Sequence, residues 1–120
     1  MNHAYARETY LNNQVATASQ KKLIVMLYEG AIKNLRLAEI SMTNKEIENT
    51  NKYFIKAQNI VFELMNTLNF EAGGDMAENL YSLYDYMYRS LVRANIDKNI
   101  EKTKEVKKYL EELKDAWIQI

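Results

Sequence analysis

The chain contains no proline, and from Lys22 onward its apolar residues recur at helical spacing. Proline breaks a helix interior by removing an amide donor and clashing with the preceding turn. Its complete absence leaves long helices uninterrupted. Glycine is also sparse: Gly73 and Gly74, two of the three, are adjacent and fall between two helical patterns. These features constrain the chain to an all-α fold whose punctuation lies in its connections.

The 120 residues suit one domain spanning 1–120, since single domains commonly hold roughly 100–150 residues. Residues 1–17 are expected to form a mobile N-terminal cap segment, and 18–120 the bundle. Tyr5, Tyr10, Leu11 and Val15 are too few for the head to hold a helix of its own, because short isolated helices are marginal in water. The first helix is expected from Ser19 to Met42, capped by Thr17 or Ser19. Leu23, Leu27, Ala31, Leu35, Ala38 and Met42 form its inward stripe, widened by Ile24, Tyr28 and Ile32.

The second helix is expected from Lys45 to Leu68, with Ile47, Phe54, Ala57, Val61, Leu64 and Leu68 facing inward and Ile60 and Met65 beside them. Gly73-Gly74 breaks the pattern, because adjacent glycines hold a helix poorly. A third helix is expected from Asp75, its cap, to Ala94, with Met76, Leu80, Leu83, Met87, Leu91 and Ala94 inward. The fourth runs from Ile100 to Trp117 after a cap at Asp97 or Asn99, turning Val106, Leu110, Leu113 and Trp117 inward. Short links between long helices favour antiparallel neighbours, hence an up-down four-helix bundle.

Several kinds of chemistry are disfavoured. The chain has no cysteine, which removes disulfides and thiolate metal sites. Its one histidine, His3, lies in the head, so the Glu-x-x-His sites of di-metal bundles and histidine-based nucleophilic systems lack their key residue. Gly73-Gly74 has no following Lys and Ser or Thr at phosphate-loop spacing. Glu29, Glu63, Glu78 and Asp85 read as solvent-facing or capping carboxylates. No cofactor is implied, and the chain is read as no enzyme. Sixteen basic residues balance sixteen acidic ones, giving no long-range attraction for nucleic acid. No stretch approaches the roughly 20 apolar residues of a membrane span, and Met1–Glu8 lacks a signal-like apolar core. The cytoplasm is the expected location.

Two segments carry more apolar and aromatic side chains than one helix face can bury. In Leu23-Ile24-Val25-Met26-Leu27-Tyr28, five consecutive apolar residues spread around the helix. In Leu80–Arg89, Tyr81, Tyr84 and Tyr88 share one side, offset from Leu80, Leu83 and Met87. A contiguous exposed apolar patch on a soluble protein marks an interaction site; the competing reading is a thick core with tyrosine hydroxyls at its rim.

Tyr10-x-x-Asn13, Val15-x-Thr17-Ala18 and Lys22-Leu23-Ile24-x-Met26-Leu27-Tyr28-x-Gly30-Ala31 resemble the start of the flagellin-specific export chaperones, the FliS family. The similarity continues through Lys56-Ala57-Gln58-Asn59-Ile60, Glu63-Leu64, Leu83-Tyr84-Asp85-Tyr86-Met87 and Ala94-Asn95 to Asp115-Ala116-Trp117. Gln20 departs from the family pattern, in which many members carry proline at this first turn; proline there only preorganises a helix start.

The resemblance implies a cytoplasmic helical bundle that binds the disordered C-terminal segment of flagellin, prevents its premature polymerisation and keeps it competent for flagellar type III export. It also implies an N-terminal segment that can occupy part of the client's groove. Ile24, Tyr28, Ile60, Leu64, Tyr84, Tyr88 and Leu91 are the residues expected to line that groove, and Tyr5, Tyr10, Leu11 and Asn13 to form the cap over it. Export-gate components and a regulatory protein are further candidate partners, and the oligomeric state is monomer or weak homodimer. The alternative is a non-enzymatic helical adaptor, or a homo-oligomerising bundle, with another helical partner.

Overall fold

The computed structural model describes the backbone of residues 2–120 and the side chains of residues 20–120. Four helices follow one another: α1 (Asn2–Thr43), α2 (Ile47–Asn66), α3 (Phe70–Asp97) and α4 (Ile100–Gln119). α1 packs on α2 and α4, and α3 packs on the same two, so α1 and α3 lie diagonally across the bundle. The expected all-α bundle is therefore present.

The connections explain the antiparallel layout. At the end of α1, Glu46 N–H bonds to Ser41 O at 2.9 Å and Lys45 N–H to Met42 O at 3.0 Å. This paired closure satisfies carbonyls that the helix itself leaves free, and it requires a left-handed residue, here Lys45 with φ 59°. The end of α3 repeats it: Asn99 N–H bonds to Ala94 O at 2.9 Å, Lys98 N–H to Asn95 O at 3.3 Å, and Lys98 has φ 51°. Asn99 then caps α4 by accepting from Lys102 N–H at 3.0 Å. Of the two expected caps for α4, the structure selects Asn99.

The start of α3 differs from expectation in its cap. Asn69, not Asp75, caps it, accepting from Glu71 and Ala72 N–H groups at 3.1 Å each. One turn of helix forms before Gly74 interrupts it with φ 52° and ψ −129°, a conformation side-chain-bearing residues avoid. The break expected at the Gly-Gly pair is therefore present: a one-turn segment and the main helix of α3 meet across a kink at Gly74. α1 also differs, its backbone beginning well before Ser19; no glycine or proline stands between Asn2 and Ser19 to stop it.

The core is built from Ile24, Tyr28, Ala31, Leu35 and Ala38 of α1, Phe54, Ala57, Val61 and Leu64 of α2, Tyr84, Met87, Leu91 and Ala94 of α3, and Val106 and Leu110 of α4. The inward faces of α1, α2 and α3 are rotated slightly from the expected ones. Leu23, Ile47 and Met76, assigned inward by spacing, are exposed, while Thr50, Ala77 and Thr103 are buried. The hydroxyls of the small buried residues are satisfied locally. Thr103 Oγ1 donates to Asn99 O at 2.8 Å. Ser41 and Thr50 hydroxyls meet at 2.8 Å across the α1–α2 turn. Among the described residues, no buried side-chain N or O lacks a partner.

Candidate interaction surface

The residues expected to line a groove separate into two groups. Ile24, Tyr28, Leu64, Tyr84 and Leu91 are buried in the core. Tyrosine can be buried this deeply only if its hydroxyl finds a partner. Tyr28 and Tyr84 supply each other's: their hydroxyls are hydrogen-bonded across the diagonal. Burial raises the pKa of Tyr28 strongly, with the neighbouring Tyr84 adding to it and the Trp117 indole donor opposing it. Burial likewise raises that of Tyr84. Both are therefore neutral phenols, and their chemistry is structural.

Ile60 and Tyr88 are half-buried against the margins of the core. Ile60 faces α1, where Gly30 leaves room for it: a Cβ at Gly30 would meet Ile60 Cδ1 at 3.3 Å. The cap residues Tyr5, Tyr10, Leu11 and Asn13 lie outside the described side chains.

The α2–α3 seam is where unsatisfied apolar surface collects. Lys98 marks its flanks, because its ammonium donates both to Asn51 Oδ1 of α2 at 2.7 Å and to Asn95 Oδ1 of α3 at 2.8 Å. On α2, steps of four, three and four from Asn51 give Ile55, Gln58 and Phe62, a single row on that flank. On α3, steps back from Asn95 give Val92, Tyr88 and Tyr81. Ile55 and Phe62 remain 51% and 52% exposed, and Tyr81 44%. Ile55 and Phe62 on α2 and Tyr81 on α3 are thus large side chains left open to solvent on the flanks that Lys98 bridges. Sequence reasoning placed Tyr81 and Tyr88 on one side of the third helix but assigned no role to Ile55 or Phe62; their seven-residue spacing was the available signal.

The α3–α4 seam is different in kind. Tyr86 O–H donates to Glu105 at 2.9 Å, Lys102 stands 3.6 Å from Glu105, and its ammonium lies 5.6 Å from the Tyr86 ring centre. The Tyr86 hydroxyl, then Glu105, raise the Lys102 pKa. Polar pairing covers this seam. At the end of the bundle where α2 turns into α3, a groove of about 470 Å³ opens between Gln20, Lys21 and Ile24 of α1, the Thr67–Gly73 turn, Leu80 of α3 and Trp117 of α4.

The carboxylates weighed for catalysis do not converge. Glu29, Glu63 and Glu78 are exposed, and Asp85 pairs with Arg89 at 3.1 Å. Among the described residues, no group of three or more His, Cys, Asp or Glu could hold a metal ion, and no helix is long and apolar enough to cross a membrane.

Together these features define an all-α bundle whose open surface is an apolar seam instead of a polar cleft. The family described as flagellar protein FliS matches residues 1–120. The flagellar secretion chaperone FliS of Bacillus subtilis is 42% identical over 110 residues, covering 92% of this chain and 81% of its own. That of Campylobacter jejuni is 36% identical across 100% of this chain and 94% of its own. The Salmonella typhimurium protein of the same name is 36% identical over 98% of this chain and 87% of its own. The chain belongs to the FliS family of flagellar secretion chaperones.

Proposed function

We propose that this chain is a cytoplasmic chaperone that binds the disordered C-terminal segment of flagellin along the α2–α3 seam and keeps it from polymerising before export. The observation that carries the reading is the large apolar surface left exposed on two neighbouring helices, Ile55 and Phe62 on α2 and Tyr81 on α3, with Tyr88 half-buried at the core margin. An amphipathic helix laid along that seam buries its apolar stripe against them. Aromatic walls provide contact area with few rotors to freeze, and the exposed Met26 and Met76 adapt to irregular partners. Ordering a disordered client costs free energy, so a wide contact remains releasable without nucleotide hydrolysis. The same surface suits a cover formed by Tyr5, Tyr10, Leu11 and Asn13 before the client arrives. Export-gate components or a regulatory protein then take the loaded complex.

The test is calorimetry with a peptide of the last few dozen residues of flagellin from the same organism. Phe62→Ala is expected to weaken binding about tenfold or more, the scale of a central aromatic contact. Its thermal midpoint should stay close to that of the parent, because Phe62 is half-exposed. Wild-type protein that binds no such peptide, or Phe62→Ala that binds it equally well, overturns the reading.

A further inference from the structure

The one-turn segment before Gly74 does not continue the line of α3. On a straight helix, residues eleven apart lie about 16 Å apart along the axis, yet the rings of Phe70 and Tyr81 meet edge to face with centroids 5.9 Å apart. Residues 73 and 77 are also compressed, since a Cβ at Gly73 would fall 2.8 Å from Ala77 Cβ. The chain therefore folds back at Gly74, whose φ of 52° and ψ of −129° supply the bend. Around Gly74 itself there is open space: a Cβ placed there would meet nothing within 4 Å. Every residue from Asn69 to Met76 is exposed. This turn is thus held by few contacts: its asparagine cap, the bond from Gly73 N–H to Asn69 O at 2.8 Å, and the ring pair.

Its position gives those few contacts a consequence. Asn69, Ala72 and Gly73 form one wall of the groove whose other sides are Ile24, Leu80 and Trp117. Tyr81, on which Phe70 rests, is also the last aromatic of the α2–α3 seam. One segment thus borders the groove and covers the end of the seam.

We propose that residues 69–73 are a flap, hinged at Gly74 and latched by Phe70 on Tyr81, that controls access to the groove beneath Trp117 and to the adjoining end of the seam. Closed, it shields Tyr81 and narrows the groove. Open, it swings about the glycine, whose unhindered surroundings give it room, and presents both to an incoming helix. That this helix belongs to the client rests on the function proposed above; the hinge and latch do not.

Amide hydrogen exchange on the full chain tests the flap without any client. In Phe70→Ala, exchange at Gly73 and its neighbours should accelerate roughly two- to tenfold, the factor that corresponds to one aromatic pair. Amides of the α4 core, around Leu110, should be unchanged. Tyr81→Leu removes the other half of the latch and should give the same local acceleration. Trp117 is the only tryptophan, so its emission should move to longer wavelength and become easier to quench in both variants. Unchanged exchange at Gly73, acceleration spread evenly over all helices, or unaltered Trp117 emission overturns the flap. With the flagellin peptide, Phe70→Ala should associate faster by the same factor. A wild-type chain that binds no peptide removes the client reading alone, and the exchange data still decide the flap.

Discussion

Tyr28 of α1 and Tyr84 of α3 join two helices across the bundle diagonal, their hydroxyls hydrogen-bonded and their rings 6.4 Å apart at a 50° tilt. Removing one hydroxyl leaves the other buried with its main partner gone. Tyr84→Phe should therefore cost about 1–3 kcal/mol of stability in urea unfolding. Tyr28→Phe/Tyr84→Phe removes both polar groups together and should lie closer to the parent than the sum of the two single changes. Additive single effects would show that the hydroxyls do not depend on each other.

The same pair sets an alkaline limit. Both phenols have raised pKa values when folded, so the unfolded chain releases their protons first. Their stabilising contribution is complete below the ordinary tyrosine value of 10.0 and falls as pH rises above it. Each contributes a loss of up to about 1.4 kcal/mol per pH unit in that window. Unfolding midpoints measured from pH 9 upward should fall less steeply in the double phenylalanine variant than in the parent.

Glu39 and Lys107 join α1 to α4 in an ion pair whose side chains are only 13% and 20% exposed. Solvent screens it less than the Arg93–Asp97 pair, in which Arg93 is largely exposed. Lys107→Met should cost about 1–3 kcal/mol, since it strands a mostly shielded carboxylate. Arg93→Ala should stay within about 0.5 kcal/mol of the parent. Denaturant titration of both variants decides whether shielding separates them.

Lys45 and Lys98 occupy left-handed positions that glycine usually fills. Lys45→Gly should stabilise the protein by about 0.5–1 kcal/mol through relief of that strain. Lys98→Gly gains the same relief but loses the ammonium that bonds Asn51 Oδ1, Asn95 O and Asn95 Oδ1. Its net effect should be destabilising. Thermal midpoints of the two variants should therefore move in opposite directions.

Helix number, antiparallel order and the placement of most connections were legible in the sequence, because each rests on local physics. The lack of proline keeps helices long, and the 3.6-residue period marks their apolar sides. Asn99 could be read as a cap because capping uses a side chain a few atoms from the amides it serves. The family was legible for another reason: motif order along a chain is itself a linear property.

Which side chains lie inside, and which meet a partner, was decided by packing. Periodicity measures the angle of a residue around its own helix, not how two neighbouring helices divide that arc. Tyr28 and Tyr84 could be read as groove or as core; a lone phenol is costly to bury, and their meeting across the diagonal removes that cost. Ile55 and Phe62 looked unremarkable until Lys98 showed which flank of α2 faces α3. The two glycines announced a break, but only the tertiary contact between Phe70 and Tyr81 turned that break into a bend that folds the start of α3 back on itself.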